Sequence, residues 1–478
     1  MKHCRFFLLP CFVMVGLMNA TNAQQPIKAG AARVNITPSY GTLINGDFLP
    51  IFTKVIHDSL YAKALAFDNG KKRFVFVVVD CMAIDGDLIN DTKRLIKAAC
   101  GLAPEQVMIS SNHAHSCGSV VGGAASPADL NYRLAMPGKI NNAVKLALSN
   151  LQTAKIAWGH FDVPKHVSCR RWYMKPGYPT ISPFGDTDKV WMNPPLGSEF
   201  SDRPVSPPDP QVNFLAVKNT NGKWISILAN YSIHYVADIP ESAISGDYFE
   251  ELDYDLQARL GTGGGFVGIM SNGTSGDVNT FDFKLEKNYP KGPYEKTKLI
   301  AADIADSIVV ALKNVKWETN PVFKFAYKET KVASRSISPE LLAKCEKLVI
   351  NTDFRSLNTT DKASDAIARL YALEVVELNQ YQRPFYDLPT QAIHIGEGII
   401  GTLPGEFFSE TGLNLKKQTS AKYYFTIALA NDYAGYVPPA SQFNLGGYET
   451  WLCGSSHLAV DAEAKITAAL ALLIKSVR

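Results

Sequence analysis

The sequence predicts an α/β protein: one large domain of mixed sheets flanked by helices, with a metal site at strand ends. Three observations lead there. Apolar runs alternate with helical patterns along the chain. The residues able to do chemistry fall just past the ends of those runs. No repeat and no clear boundary divides the 478 residues, which suit one large domain or two or three ordinary ones.

The elements follow in order. "RFVFVVVD" (73–80) is a buried-strand run, "DLINDTKRLIKAAC" (87–100) an amphipathic helix, and "QVMISS" a second strand. This βαβ rhythm places the next residues at the carboxyl end of a strand, where open α/β sheets put their sites. Further strands are expected at "KIAWGHF", "QVNFLAVKN", "WISILANYS" and "GFVGIMSN", with a helix "DYFEELDYDLQARL" between the last two. A helix over 293–314 precedes the strand-like "VFKFAYKETKVASRSI", and residues 338–380 read as helical. "TQAIHIGEGIIGTL" has the pattern of a hairpin turning at "GEG" and leading into a helix at "PGEFFSETGLNLKK". Residues 174–211 are rich in Pro, Gly and Asp; their aromatics and methionines favour an ordered loop over a linker.

Composition narrows the class. With 46% apolar residues, 19% charged residues, net charge +3 and no basic run, the chain is globular and nothing points to nucleic acid. Residues 1–23 have the marks of a cleaved signal peptide: Lys2 and Arg5, then "FFLLPCFVMVGLM", then small residues ending at Ala23. The expected mature domain is 24–478, secreted or periplasmic. Six cysteines remain in it, dispersed and without a CxxC, which excludes zinc ribbons and leads us to expect at most one disulfide.

The chemistry centres on "SSNHAHSCG". In an extended segment, residues i and i+2 point the same way, so His113 and His115 can face one point. An isolated HxH is more often a satisfied pair in a loop, and the sharper reading needs partners. "ILANYSIHYV" puts His234 at a strand end, and "LPGEFFSETG" puts Glu406 in the first turn of a helix. "LANDYAGYVPPASQFNLGGYETW" carries Tyr433, Tyr436 and Tyr448, and "MSNGTSGDVNTFDF" is a turn after "GFVGI". Alone, each is ordinary: a core histidine, a dipole-favoured glutamate, packing tyrosines. Two imidazoles, a carboxylate and an open position, if they met, would make a catalytic zinc site.

The order of "AARVNITP", "IHDSLYAKALAFDNG", "SSNHAHSCG", "NYSIHYV", "SNGTSGDVNTF", "LPGEFF" and "DYAGYVPPASQFNLGGYE" resembles the catalytic domain of the neutral/alkaline, non-lysosomal ceramidases. The likeness runs from about residue 27 to the end. It implies a zinc-dependent amidohydrolase that splits the N-acyl bond of a sphingoid lipid such as ceramide, with zinc-bound water as the nucleophile. By the same resemblance, His113, His234, Glu406 and Tyr436 match the Zn2+ ligands. His115 matches a residue that assists at the substrate carbonyl, and Arg170 (with Arg171 as the other register) and Tyr448 match further catalytic positions. The substrate is then a small molecule or lipid, and peripheral contact with a membrane stays open.

Two departures stand out. The family's GDVSPN is "GDVNTF" here, so Asn279 stands where a serine is expected, and Ser275 lies four residues earlier. The family's C-terminal immunoglobulin-like domain has no counterpart in the sequence. Two rival readings follow. One keeps the metal but takes a polar substrate, a glycan or N-acylated sugar, on account of Trp172, Tyr173, Tyr178, Trp191 and Trp451 near the expected rim. The other is a non-catalytic binding protein on a hydrolase scaffold.

Overall fold

The computed structural model describes residues 26–359 and 365–478. The expected signal segment, 1–23, lies outside the described residues. The main sheet is built from strands β1 (Lys28–Asn35), β2 (Tyr61–Asp68), β3 (Arg73–Val79), β4 (Val107–Ser111), β5 (Gln152–Asp162), β6 (Gln211–Asn219), β7 (Trp224–Tyr231) and β8 (Val267–Asn272). Their spatial order is β8-β7-β6-β5-β1-β2-β3-β4. Neighbours are antiparallel except β3–β4 and β7–β8, the two pairs joined through a crossover helix. A second sheet holds β9 (Phe323–Ala333), β10 (Phe385–Ile395), β11 (Gly398–Thr402) and β12 (Tyr423–Ile427) in that order.

The helices are α1 (Gly86–Cys100), α2 (Leu130–Ser149), α3 (Asp247–Leu260), α4 (Glu295–Ala311), α5 (Pro339–Ile350), α6 (Ala366–Tyr381), α7 (Ser409–Gln418) and α8 (Ala462–Val477). Their ends show why they stop where they do. Asp85 caps α1 by accepting from the Leu88 amide, and Gly101, in the left-handed region, closes it. Gly261 closes α3 the same way.

Alternation along the strands sorts the core into layers. In β3, Val75, Val77 and Val79 face the helices, while Phe74, Phe76 and Val78 face the second sheet. The layer between the sheets is completed by Ile393, Ile395, Ile400, Phe425 and Ile427. Beyond the second sheet, Ile399, Leu403 and Tyr424 pack on Ile466, Leu470 and Ile474 of α8. Burial on both faces explains why these strands read as near-continuous apolar runs.

In the fold, the structure corrects the sequence reading in one place, Glu406, and adds two facts to it. The main sheet is a duplication of topology: β1-β2-β3-α1-β4-α2 is followed by β5-β6-β7-α3-β8-α4, the same order of elements without a legible repeat in sequence. Glu406 is not in the first turn of a helix. It lies in a short strand, Glu406–Phe407, pairing in parallel with Tyr436–Val437, and α7 begins only at Ser409. All six cysteines of the described residues are free thiols, so no disulfide contributes. Residues 174–211 are ordered, as expected, around a small sheet of Arg171–Met174, Val190–Met192 and Ser201–Pro204.

The sheet is strongly curled. Its halves pair across the middle only at Lys28–Ala29 with Gln152–Thr153, and β8 returns to touch β3 and β4 at the opposite edge. No helix among the described residues is long and apolar enough to cross a membrane.

The seam between the sheets is tight at one point. Trp158 donates from Nε1 to the Ile395 carbonyl at 2.9 Å, and a Cβ at Gly398 would lie 2.3 Å from its indole. Gly398→Ala is predicted to destabilise the protein by about 1–3 kcal/mol through overpacking. An unchanged urea midpoint would contradict that packing.

Candidate active site

His113 follows β4 directly, and its backbone is left-handed, with φ +72°. A non-glycine residue holds that conformation only when its surroundings over-determine it. Here the Asn112 side-chain amide donates to Asp80 at 2.7 Å, the Asn112 carboxamide oxygen accepts from the Ala114 amide, and the His113 amide donates to the Cys81 carbonyl at 3.1 Å. The turn aims both imidazoles inward. His115 Nε2 is 3.3 Å from His113 Nε2, and its ring stacks on Tyr235 with centroids 3.7 Å apart.

His234 arrives from the end of β7, its Nε2 3.3 Å from that of His113. Each ring has its Nδ1 on a main-chain carbonyl: His113 on Met82 at 2.8 Å, His234 on Ser275 at 3.2 Å. A carbonyl can only accept, so both Nδ1 atoms carry the proton and both Nε2 lone pairs face one point. Glu406 adds its Oε2, 3.4 Å from His113 Nε2 and without a hydrogen-bond partner, while Oε1 accepts from the Tyr433 hydroxyl at 2.8 Å. Gly435 accepts from the Glu406 amide and Ser455 from the Tyr436 amide, so backbone pairing holds these two side chains level.

Arg170, from the loop before Arg171–Met174, is buried beside them. It donates from Nη2 to the Tyr436 hydroxyl at 3.0 Å, and Nη1 lies 3.4 Å from His234 Nε2. Its guanidinium sits over the rings of Tyr436 and Tyr448, 5.4 and 5.8 Å from their centroids. Arg171 points away, to the Gly446 carbonyl, so of the two registers Arg170 is the one at the site.

The structure therefore brings His113, His115, His234, Glu406, Tyr436, Arg170 and Tyr448 into one cluster. Three groups went unassigned in the sequence: Tyr433 on Glu406, Tyr235 under His115, and Glu449, whose buried carboxylate takes both Arg170 and Arg171. Only Tyr433 was singled out in the sequence, as one of three tyrosines in its loop and without a role. Asn279 is off the cluster, bonded to Asn193 at 3.0 Å, whereas Ser275 serves through its main-chain carbonyl. Asp277 helps seat Arg170, accepting from its amide at 2.8 Å.

Burial sets the protonation states. It drives His234 and His115 well below the ordinary histidine value and the Tyr436 hydroxyl well above that of tyrosine, although Arg170 pulls the latter down. Burial pushes Glu406 up too, but its neighbours, Arg170 and the Tyr433 hydroxyl among them, pull the carboxyl below the ordinary carboxylate range. Facing lone pairs beside a bare carboxylate oxygen repel one another unless a cation lies between them. The donors therefore fit a metal ion, and His113, His115 and His234 form a group close enough to hold one. Imidazole and carboxylate donors suit zinc.

His113, His115, Glu406, Tyr436 and Tyr448 line the floor of a cleft of about 850 Å³, with His234 against His113 and Arg170 against Tyr436. Phe48, Leu130, Leu373 and Leu378 give its walls apolar surface, and Asp47, Asp85, Arg133, Glu374 and Glu377 give them charge. The aromatics expected at the rim are elsewhere: Trp172, Tyr173, Tyr178, Trp191 and Trp451 are not among the lining residues. Trp172 is buried, and Trp191 packs between Tyr178 and Trp451. The sugar-stacking argument built on them falls.

Among solved structures, the chain is similar to a ceramidase complexed with C2, with 15% identity, a TM-score of 0.67, and 95% of this chain and 75% of that one covered. It is also similar to the neutral ceramidase from Pseudomonas aeruginosa, at 16% identity and TM-score 0.65, covering 94% and 74%. The resemblance carried by the motifs thus extends to the fold of nearly the whole chain. No protein-family profile and no curated protein matches the sequence.

Gly46 tests the placement of His115. Its φ is +100°, and a Cβ there would lie 2.5 Å from His115 Nδ1. Gly46→Ala is predicted to displace the ring and lower turnover by on the order of 10² while leaving the fold intact. Wild-type turnover in this variant would remove His115 from the chemistry.

Proposed function

We propose that the protein is an exported, zinc-dependent hydrolase that opens the N-acyl amide bond of ceramide or a related sphingoid lipid. The observation that carries this reading is that His113, Glu406 and Tyr436 meet at the floor of the cleft with His234 against His113. Tyr436 enters with its hydroxyl on Arg170. The ceramidase fold supports the substrate class. Export rests on residues 1–23 alone.

In this reading His113, His234, Glu406 and Tyr436 hold the zinc, which supplies an acidified water and polarises the substrate carbonyl. The chain's own groups do the rest. As the oxygen attacks, negative charge develops on the amide oxygen, and the two Nη groups of Arg170 and the Tyr448 hydroxyl are its donors. His115, neutral because it is buried, takes the proton from the attacking water at Nε2 and returns it to the leaving nitrogen. The C–O bond forms, the C–N bond breaks, and the products are a carboxylate and an amine.

The second reading keeps this chemistry but takes an N-acylated sugar. The charged walls of the cleft, Asp47, Glu374 and Glu377 among them, favour it.

Purified protein assayed with a short-chain ceramide analogue beside N-acyl sugars separates the two. We expect release of the sphingoid amine, abolished by a chelator and restored by zinc. Release from the sugars alone would establish the second reading, and chelator-resistant hydrolysis would refute both. His113→Ala is expected to lose metal and activity together. His115→Ala is expected to keep its metal and lose activity by at least about 10². Loss of metal from His115→Ala would make both histidines ligands in place of Tyr436.

A further inference from the structure

We infer that Glu449 is a positioning residue, holding the Arg170 guanidinium by its Nε edge so that its two Nη groups stay at Tyr436 and His234, beside the reacting carbonyl. The inference rests on the role given to Arg170 under Proposed function.

Glu449 is 0% exposed, and each carboxylate oxygen has one guanidinium partner. Oε1 accepts from Arg170 Nε at 2.7 Å, and Oε2 from Arg171 Nη1 at 2.5 Å. A guanidinium is rigid and planar, so fixing its Nε edge fixes where the two Nη groups point. For Arg170 they point at Tyr436 and His234. The main chain of Arg170 is also tied down, its amide to Asp277 and its carbonyl to the Asn193 amide. The remaining freedom lies in the side chain, and Glu449 removes it.

Arg171 completes the device without approaching the cleft. Its Nη2 donates to the Gly446 carbonyl at 2.7 Å, and its guanidinium lies 5.3 Å over the Phe408 ring. Arg171 thus fixes Glu449, and Glu449 fixes Arg170. One carboxylate between two buried cations leaves one net positive charge, and the cation whose Nη groups reach the site, at Tyr436 and His234, is Arg170. With Glu449 neutralised, two buried guanidinium groups would repel across the gap, and Arg170 would lose its reference edge.

The test uses Arg170→Ala, which leaves a guanidinium-sized space between Glu449 and Tyr436. We expect this variant to lose turnover by about 10²–10³, the usual effect of removing a preorganised donor. Millimolar guanidinium ion should restore at least about tenfold of that loss when Glu449 is present, and none in Arg170→Ala/Glu449→Gln. Glu449→Gln alone should lower kcat by about 10² with KM nearly unchanged. Metal content per chain should be equal in all three variants, a readout independent of turnover. If Glu449→Gln does not fold, the charge-balanced Arg171→Gln/Glu449→Gln carries the same measurement. Equal rescue with and without the carboxylate, or wild-type kcat in Glu449→Gln, would overturn the positioning role. Full activity of Arg170→Ala would overturn the role of Arg170 itself, and the inference with it.

Discussion

Two imidazole lone pairs and a bare carboxylate oxygen, with His234 and Glu406 3.3 and 3.4 Å from His113 Nε2 inside a buried pocket, are the constraint around which this structure is arranged. Left alone, such groups would rotate apart or take up protons. Each is prevented from doing so by a partner on its far side. Carbonyls of Met82 and Ser275 fix the two rings, and the Tyr433 hydroxyl fixes Glu406. The left-handed turn at His113 is sustained by Asn112 and Asp80. These supports are buried or half-buried, so the polar cluster is expensive to assemble and rigid once formed.

The fold supplies the cluster from separate places. The first topological unit gives His113 and His115, the second gives His234, and the connection between its first two strands gives Arg170. The second sheet gives Glu406, Tyr436 and Tyr448 through the loops after β11 and β12. No single element could carry the site. The apolar layer of Phe74, Phe76, Ile393 and Ile400 between the sheets therefore matters for chemistry as well as stability. It sets the distance from which Glu406 and Tyr436 reach the histidines.

Much of this was legible in the sequence, for physical reasons. Strands β3, β4, β7 and β8 are apolar runs because both their faces are covered, and α3 matches "DYFEELDYDLQARL" residue for residue. The HxH stands out because few other histidines compete with it. What was not legible depends on distant partners. The strand at Glu406 exists only because Tyr436–Val437 lies beside it, and local pattern alone favours a helix there. The aromatics of 172–191 were placed on the rim by composition, but Trp172 packs on Phe283, Tyr173 under Arg203, and Trp191 between Tyr178 and Trp451. Glu449 is invisible until two arginines are seen to share it. The duplicated topology is equally hidden, since a repeat of element order needs no repeat of residues.

The account turns on one cation joining side chains from both sheets. Anomalous diffraction at the zinc absorption edge, from crystals of the purified protein, tests this most directly. It should show a single peak ligated by Nε2 of His113 and His234, Oε2 of Glu406 and the hydroxyl oxygen of Tyr436, with His115 turned to the open side. No peak at that point, or one ligated by His113, His115 and His234 with Tyr436 left on Arg170, would contradict it.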